Sequence, residues 1–250
     1  MSRLRIVALV FGLSFSLNAL SEVIRFEVLQ STPAFEGRSF GGVGGFIKVT
    51  ARATVAVDPA DPRNAVIADI ENAPRNASGR VESTADVVLL RPSDWQRGNG
   101  TLLVDVPNRG RKLAPQLFDD SRQPGANNAD KAADGGIGFL HAQGYSMAWI
   151  GWQADIPSQP GQLALTAPVL RGVTGPVRDE FVFDHLRSPA AANLPWPIAD
   201  PASLVVTVRA KWDDVRQSPA GLSIRATGAQ TAEITRPDTG FDAGALYEVT

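Results

Sequence analysis

The chain has 250 residues, 24 Lys and Arg against 26 Asp and Glu, a formal charge of −2 and no cysteine. A disulfide scaffold, a thiolate metal site and a cysteine nucleophile are thereby excluded, and the charge balance gives no general field that favours nucleic acid or an anionic membrane surface. A chain of this length can bury roughly 70% of its unfolded surface, so packing alone can hold its core.

Met1 to about Ser21 reads as a secretory signal peptide. Arg3 and Arg5 form a positive start, Ile6 to Phe15 an apolar run, and Ala19 and Ser21 supply small residues for a cleavage site. The apolar run is shorter than the roughly 20 residues that span a bilayer, and no second stretch reaches that length. The expectation is an exported protein, periplasmic or extracellular, with no membrane contact beyond the signal peptide.

From Val23 to Val106 the signal is β. Val23–Leu29, Phe46–Val57, Val66–Ile70, Arg80–Leu90 and Thr101–Val106 are rich in β-branched or alternating apolar residues. Between them lie turn sequences: Asp58-Pro59-Ala60-Asp61-Pro62, Asn76-Ala77-Ser78-Gly79 and Gly98-Asn99-Gly100. After Pro107 the pattern changes. Asn108-Arg109-Gly110-Arg111 is a polar loop, and Asp119–Asp134 reads as a surface loop. Gly136–Gly144 reads as a helix stopped by Gly144, and Tyr145–Trp152 as a strand buried on both faces. Strand, loop, helix, strand is the order of a βαβ unit with a parallel pair. Leu163–Leu170, Val177–Phe183 and Leu204–Trp212 are further strands. Four prolines, at 189, 195, 197 and 201, make an extended loop between the last two. Ala220–Ile234 reads as a hairpin around Gly228. The fold class is α+β, strand-rich, with an N-terminal antiparallel β region.

The common catalytic and binding motifs are missing or out of context. Gly144-Tyr145-Ser146-Met147-Ala148 lacks the last glycine of G-x-S-x-G, and its serine lies between helix and strand, the reverse of a nucleophile elbow. His141 and His185 are too few for a metal site, and each reads as a surface or core-edge residue. Gly41-Gly42-Val43-Gly44-Gly45 precedes a strand, not the helix N-terminus that a phosphate loop needs, and reads as a turn. Asp58, Asp61 and Asp69 read as turn residues rather than calcium ligands. Asn76-Ala77-Ser78 and Asn99-Gly100-Thr101 match glycosylation acceptors of a eukaryotic secretory route. No cofactor or metal is expected. The one loop with chemical promise is Asn108-Arg109-Gly110, after a strand and before a helix. There Gly110 permits close backbone approach, whereas an ordinary βα turn with Arg109 and Arg111 in ion pairs is the alternative.

Several runs occur together in one order: Phe40-Gly41-Gly42-Val43-Gly44, Asp58-Pro59-Ala60-Asp61-Pro62-Arg63-Asn64-Ala65, Ala73–Glu82, Leu90-Arg91-Pro92, Gly98-Asn99-Gly100, Asn108-Arg109-Gly110-Arg111-Lys112, Phe139-Leu140, Gly144-Tyr145, and Trp149 with Gly151-Trp152-Gln153. Over Phe26–Val249 the chain resembles the N-terminal part of an exported family described as alpha/beta hydrolase domain-containing. The resemblance implies a serine-type, ester-hydrolysing enzyme whose nucleophile segment lies beyond residue 250, so this chain holds no catalytic residue. It divides the chain into a signal peptide (1–21), a β-rich region (22–100) and the first, truncated part of a hydrolase-like domain (101–250) with a β-rich insertion at about 163–235. Asn108, Arg109 and Gly110 become oxyanion-loop candidates, and Trp152 and Gln153 candidates for the wall of a site for a small ester-like substrate. A complete, non-catalytic, β-rich binding module is the competing expectation. Oligomeric state is left open.

Overall fold

The structure is a computed structural model that describes residues 21–121, 128–156, 160–185, 187–237 and 243–250. The signal-peptide reading therefore lies outside the described residues, save Ser21. The chain forms two compact units, Met1–Leu170 and Arg171–Thr250. Both are strand-rich with few helical residues, as the α+β reading expects.

In the first unit, β1 (Ser21–Pro33), β2 (Phe46–Val57) and β3 (Val81–Pro92) form an antiparallel meander. β4 (Leu102–Val104) is followed by α1 (Ala114–Asp119), α2 (Phe139–Ala142) and β5 (Ser146–Ile150), and β4 runs parallel to β5. β5 pairs antiparallel with β3, and so does the two-residue β6 (Leu165–Thr166), giving one six-stranded sheet with the path β1-β2-β3-β5-β4. The sheet thus runs through residue 100 without a break. One face carries the core, where Phe46, Val88, Leu90, Met147 and Trp149 pack with Phe35, Phe40 and Leu140 from the connections. On the other face Ala51, Ala53 and Val87 form a smaller cluster.

Several boundaries differ from the sequence reading, each for a physical reason. Val66–Ile70 is not a strand. Val66 is 88% exposed and only Ile70 is buried, so the segment has one apolar anchor rather than a face. Preceding turns satisfy their own backbone, with Asp58 Oδ1 accepting from the Ala60 N–H and Asp61 Oδ1 from that of Arg63. The helix expected over Gly136–Gly144 is only α2, because Gly136 and Gly138 hold positive φ and a helix cannot pass through them. The stop at Gly144 (φ 75°) is as read. α1 was not expected. The stretch Asp119–Asp134 is not a plain surface loop, since Asp119, Ser121 and Ala129 are buried. The middle of β5 is buried on both faces, but Ile150 is 46% exposed.

The second unit holds two three-stranded antiparallel sheets. β7 (Asp179–Val182), β12 (Leu246–Val249) and β9 (Val206–Arg209) form one, and β10 (Ser223–Gly228), β11 (Thr231–Thr235) and β8 (Ala190–Asn193) the other. The hairpin read around Gly228 is β10–β11. The proline-rich stretch is not all loop. Pro189 and Pro195 flank β8 rather than interrupt it, and Ala190 and Ala192 are buried where that strand pairs with β11. Ala192, Val208, Ile234 and Tyr247 belong to this unit's core.

Candidate functional site

The C-terminal ends of the parallel pair β4 and β5 are where an open α/β sheet places a ligand. The two loops that leave these ends are tied together. Asp105, just past β4, accepts hydrogen bonds on Oδ2 from the N–H groups of Leu113 (2.8 Å) and Ala114 (2.7 Å) and from the Trp149 indole (2.6 Å). One carboxylate oxygen thus anchors the loop's far end and the start of α1 to β5.

Within that loop Asn108–Arg111 is a tight turn closed by reciprocal backbone bonds. The Asn108 N–H donates to the Arg111 carbonyl at 3.2 Å and the Arg111 N–H to the Asn108 carbonyl at 3.1 Å. Positive φ at Arg109 (51°) and Gly110 (75°) makes it a type I′ turn. Arginine in the left-handed region costs roughly 1 kcal/mol. It is held there from the β5 side: its N–H donates to Gln153 Oε1 at 2.9 Å, and its guanidinium pairs with Asp155 at 2.5 Å. This ion pair holds the Asp155 carboxyl below its usual range, chiefly through the Arg109 hydrogen bond. The Trp152 indole N–H donates to the Pro107 carbonyl at 2.7 Å.

The structure therefore brings Asn108, Arg109, Gly110, Trp152 and Gln153 into one place. It also distinguishes their amides. That of Asn108 is used inside the turn and that of Arg109 is capped by the Gln153 carboxamide. The Gly110 N–H has no hydrogen-bond partner among the described residues. Gly110 is needed here for a second reason, since a Cβ at this position would lie 2.8 Å from the Leu163 carbonyl oxygen. Ser146 opens β5 with its N–H donated to the Thr101 carbonyl, the strand context expected of it.

Two residues gain importance that the sequence reading did not assign. An open cleft of about 280 Å³ lies over the sheet, lined among others by Lys48, Asp86, Lys112, Asp130 and Leu163. Lys112 Nζ donates to the Gly161 carbonyl at 2.8 Å and to Asn128 Oδ1 at 3.3 Å. Lys48 donates to the Asn128 carbonyl at 3.0 Å and pairs with Asp130. Burial, then repulsion from Lys48, pulls the Lys112 ammonium down to about 8, with Asp130 and Asp105 opposing. The signal for Lys112 was its place directly after the Asn108–Arg111 turn, but nothing in the sequence told of its burial.

The histidines part company. His185 is exposed, as expected. His141 is not at a surface or core edge; it is 1% exposed inside a box of Phe35, Phe40 and Phe46, stacked on Phe40 at 4.6 Å. Its Nδ1 lies 3.4 Å from Asp119 Oδ1, and neither ring nitrogen has a hydrogen-bond partner among the described residues. Among the described residues no group of three His, Asp or Glu is placed to hold a metal ion. Comparison with family models, with curated proteins and with solved structures finds no match to this chain.

Proposed function

We propose that this chain is the N-terminal portion of an exported serine-type alpha/beta hydrolase that cleaves small esters. It supplies one wall of the site and the oxyanion loop, and the nucleophile comes from polypeptide outside these 250 residues. The observation that carries the reading is the stitching of the β4 loop to the end of β5, which leaves the Gly110 N–H uncommitted at the C-terminal edge of a parallel pair. A preorganised backbone donor at that edge can stabilise the negative charge that develops when a serine attacks an acyl carbonyl. Arg109 offers a second amide once the Gln153 carboxamide swings away, and Trp152, a residue 54% exposed, supplies an apolar wall.

The test is ester turnover. The 250-residue chain alone is expected to leave p-nitrophenyl butyrate intact, whereas the polypeptide continued through an in-frame G-x-S-x-G segment hydrolyses it. Replacing the Gly110 amide by an ester, with glycolic acid in place of glycine in that longer polypeptide, removes the donor without adding a Cβ at this positive-φ position and lowers kcat by about 10²–10³-fold. Turnover by the 250-residue chain that Ser146→Ala abolishes, or a longer polypeptide indifferent to the ester replacement at Gly110, overturns the reading. A non-catalytic binding module is the outcome left if no continuation carries a nucleophile.

A further inference from the structure

We propose that the outer edge of β1 is a self-association edge, at which two copies of the chain pair antiparallel about a two-fold axis through Phe26. β1 has 13 residues and among the described residues pairs on one side only, with β2. A long strand edge with unpaired N–H and C=O groups is a ready template for another strand.

The register with β2 assigns the faces of β1. Residues directly opposite point to the same face. Phe26 lies opposite Ala53 and Val28 opposite Ala51, so both stand beside the buried Ala51–Ala53–Val87 cluster. Arg25 and Glu27 lie opposite Thr54 and Arg52 on the other face. Phe26 and Val28 are each 56% exposed, although the small residues beside them are buried. The strand is thus amphipathic, with an apolar face that β2 covers on one flank only.

The occupant that fits is a second copy. In an antiparallel pair centred on Phe26, Phe26 meets its own counterpart and Ile24 meets Val28. Val23 meets Leu29, and Arg25 meets Glu27, twice by symmetry. From Val23 to Leu29 every apolar residue opposes an apolar residue and each charge opposes its complement. A two-fold axis normal to the sheet keeps the faces matched, so Phe26 packs on Phe26 while the ion pairs form on the opposite face. Irregularities in the β1–β2 register fall between Val23 and Arg25 and between Val28 and Gln30, and the regular stretch they leave, Arg25–Val28, holds Phe26 and both charged residues.

Cysteine scanning tests it cleanly, because the chain contains no cysteine. Phe26→Cys is expected to form a disulfide dimer under mild oxidation, while Val66→Cys, 88% exposed at residue 66, stays monomeric. By sedimentation equilibrium the unaltered chain should show a monomer–dimer equilibrium. Arg25→Glu should raise its Kd at least tenfold, and Arg25→Glu with Glu27→Arg should bring it back to within about threefold. A matching melt of each variant's monomer shows that folding is intact. Three results overturn the proposal: a monomer at all concentrations, a dimer indifferent to Arg25→Glu, or cross-linking at Val66→Cys as fast as at Phe26→Cys.

Discussion

Two aspartates bracket the loop and helix that follow β4, Asp105 at the start of the loop and Asp119 at the end of α1, and they meet opposite fates. Asp105 stands at a half-exposed loop junction and its Oδ2 takes three N–H donors. Asp119, at the end of α1, is fully buried; its Oδ1 takes one donor, the Leu140 N–H, and its Oδ2 takes none among the described residues. The same side chain organises backbone in the first region, whereas in the second it sits in an apolar core with a histidine beside it. The contrast shows that a carboxylate builds a loop when donors converge on it. When burial comes first, the carboxylate instead depends on a neighbour.

The largest effect expected from breaking this contrast is at Asp105. Asp105→Ala strands three donors at once, each bond to a charged acceptor being worth about 1.5 kcal/mol or more. Chemical denaturation should show a loss of about 4 kcal/mol. Backbone exchange should accelerate at Leu113 and Ala114 but not in the second unit.

Next comes the buried pair. His141→Phe suits the aromatic box by volume but leaves Asp119 without its imidazole neighbour, and should cost about 3 kcal/mol. Adding Asp119→Asn to it should recover more than half, because removing both partners of a buried pair costs far less than removing one. Equal losses in single and double variants would show that the two side chains are not coupled.

Lys112 sharpens the comparison by adding pH. Its folded value of about 8 lies below the ordinary 10.5, so between those pH values the unfolded chain holds more of this proton than the folded one. Stability from this group therefore rises as pH increases from about 8 towards 10.5, by on the order of 3 kcal/mol at most. At pH 7 the group still carries its charge in the fold, at the cost in stability that its lowered value records. Lys112→Met should flatten that rise in urea melts taken at successive pH values, and an unchanged profile would place the lowered titration elsewhere.

The smallest effect is at Gln153. Gln153→Ala removes one exposed hydrogen bond and should cost less than 1 kcal/mol, yet it uncaps the Arg109 amide. In a hydrolysing polypeptide, ester turnover should then change more than stability does.

Much of the strand pattern was legible because alternation over a dozen residues is a local property. Phe46–Val57 and Val81–Pro92 repeat it along one face of a sheet. The type I′ turn at Asn108–Arg111 was legible only as a polar loop with a glycine. Its pairing with Gln153, 44 residues away, left no local trace. His141 was misplaced because its burial depends on Phe35, Phe40 and Phe46, which are about a hundred residues distant in sequence. β8 was hidden by prolines that stand at its flanks, and a single sequence does not distinguish a proline beside a strand from one within it.

What the amino acids determined by themselves was the class of the fold, the turns and the absence of thiol chemistry. These follow from dihedral preference, short-range periodicity and composition. Tertiary structure alone decided which amides are spent and which are left, that Lys112 is buried beside Lys48, and that a histidine sits among phenylalanines. Hydrogen-bond satisfaction and desolvation depend on neighbours brought together across the chain, and those neighbours exist only once the sheet has formed.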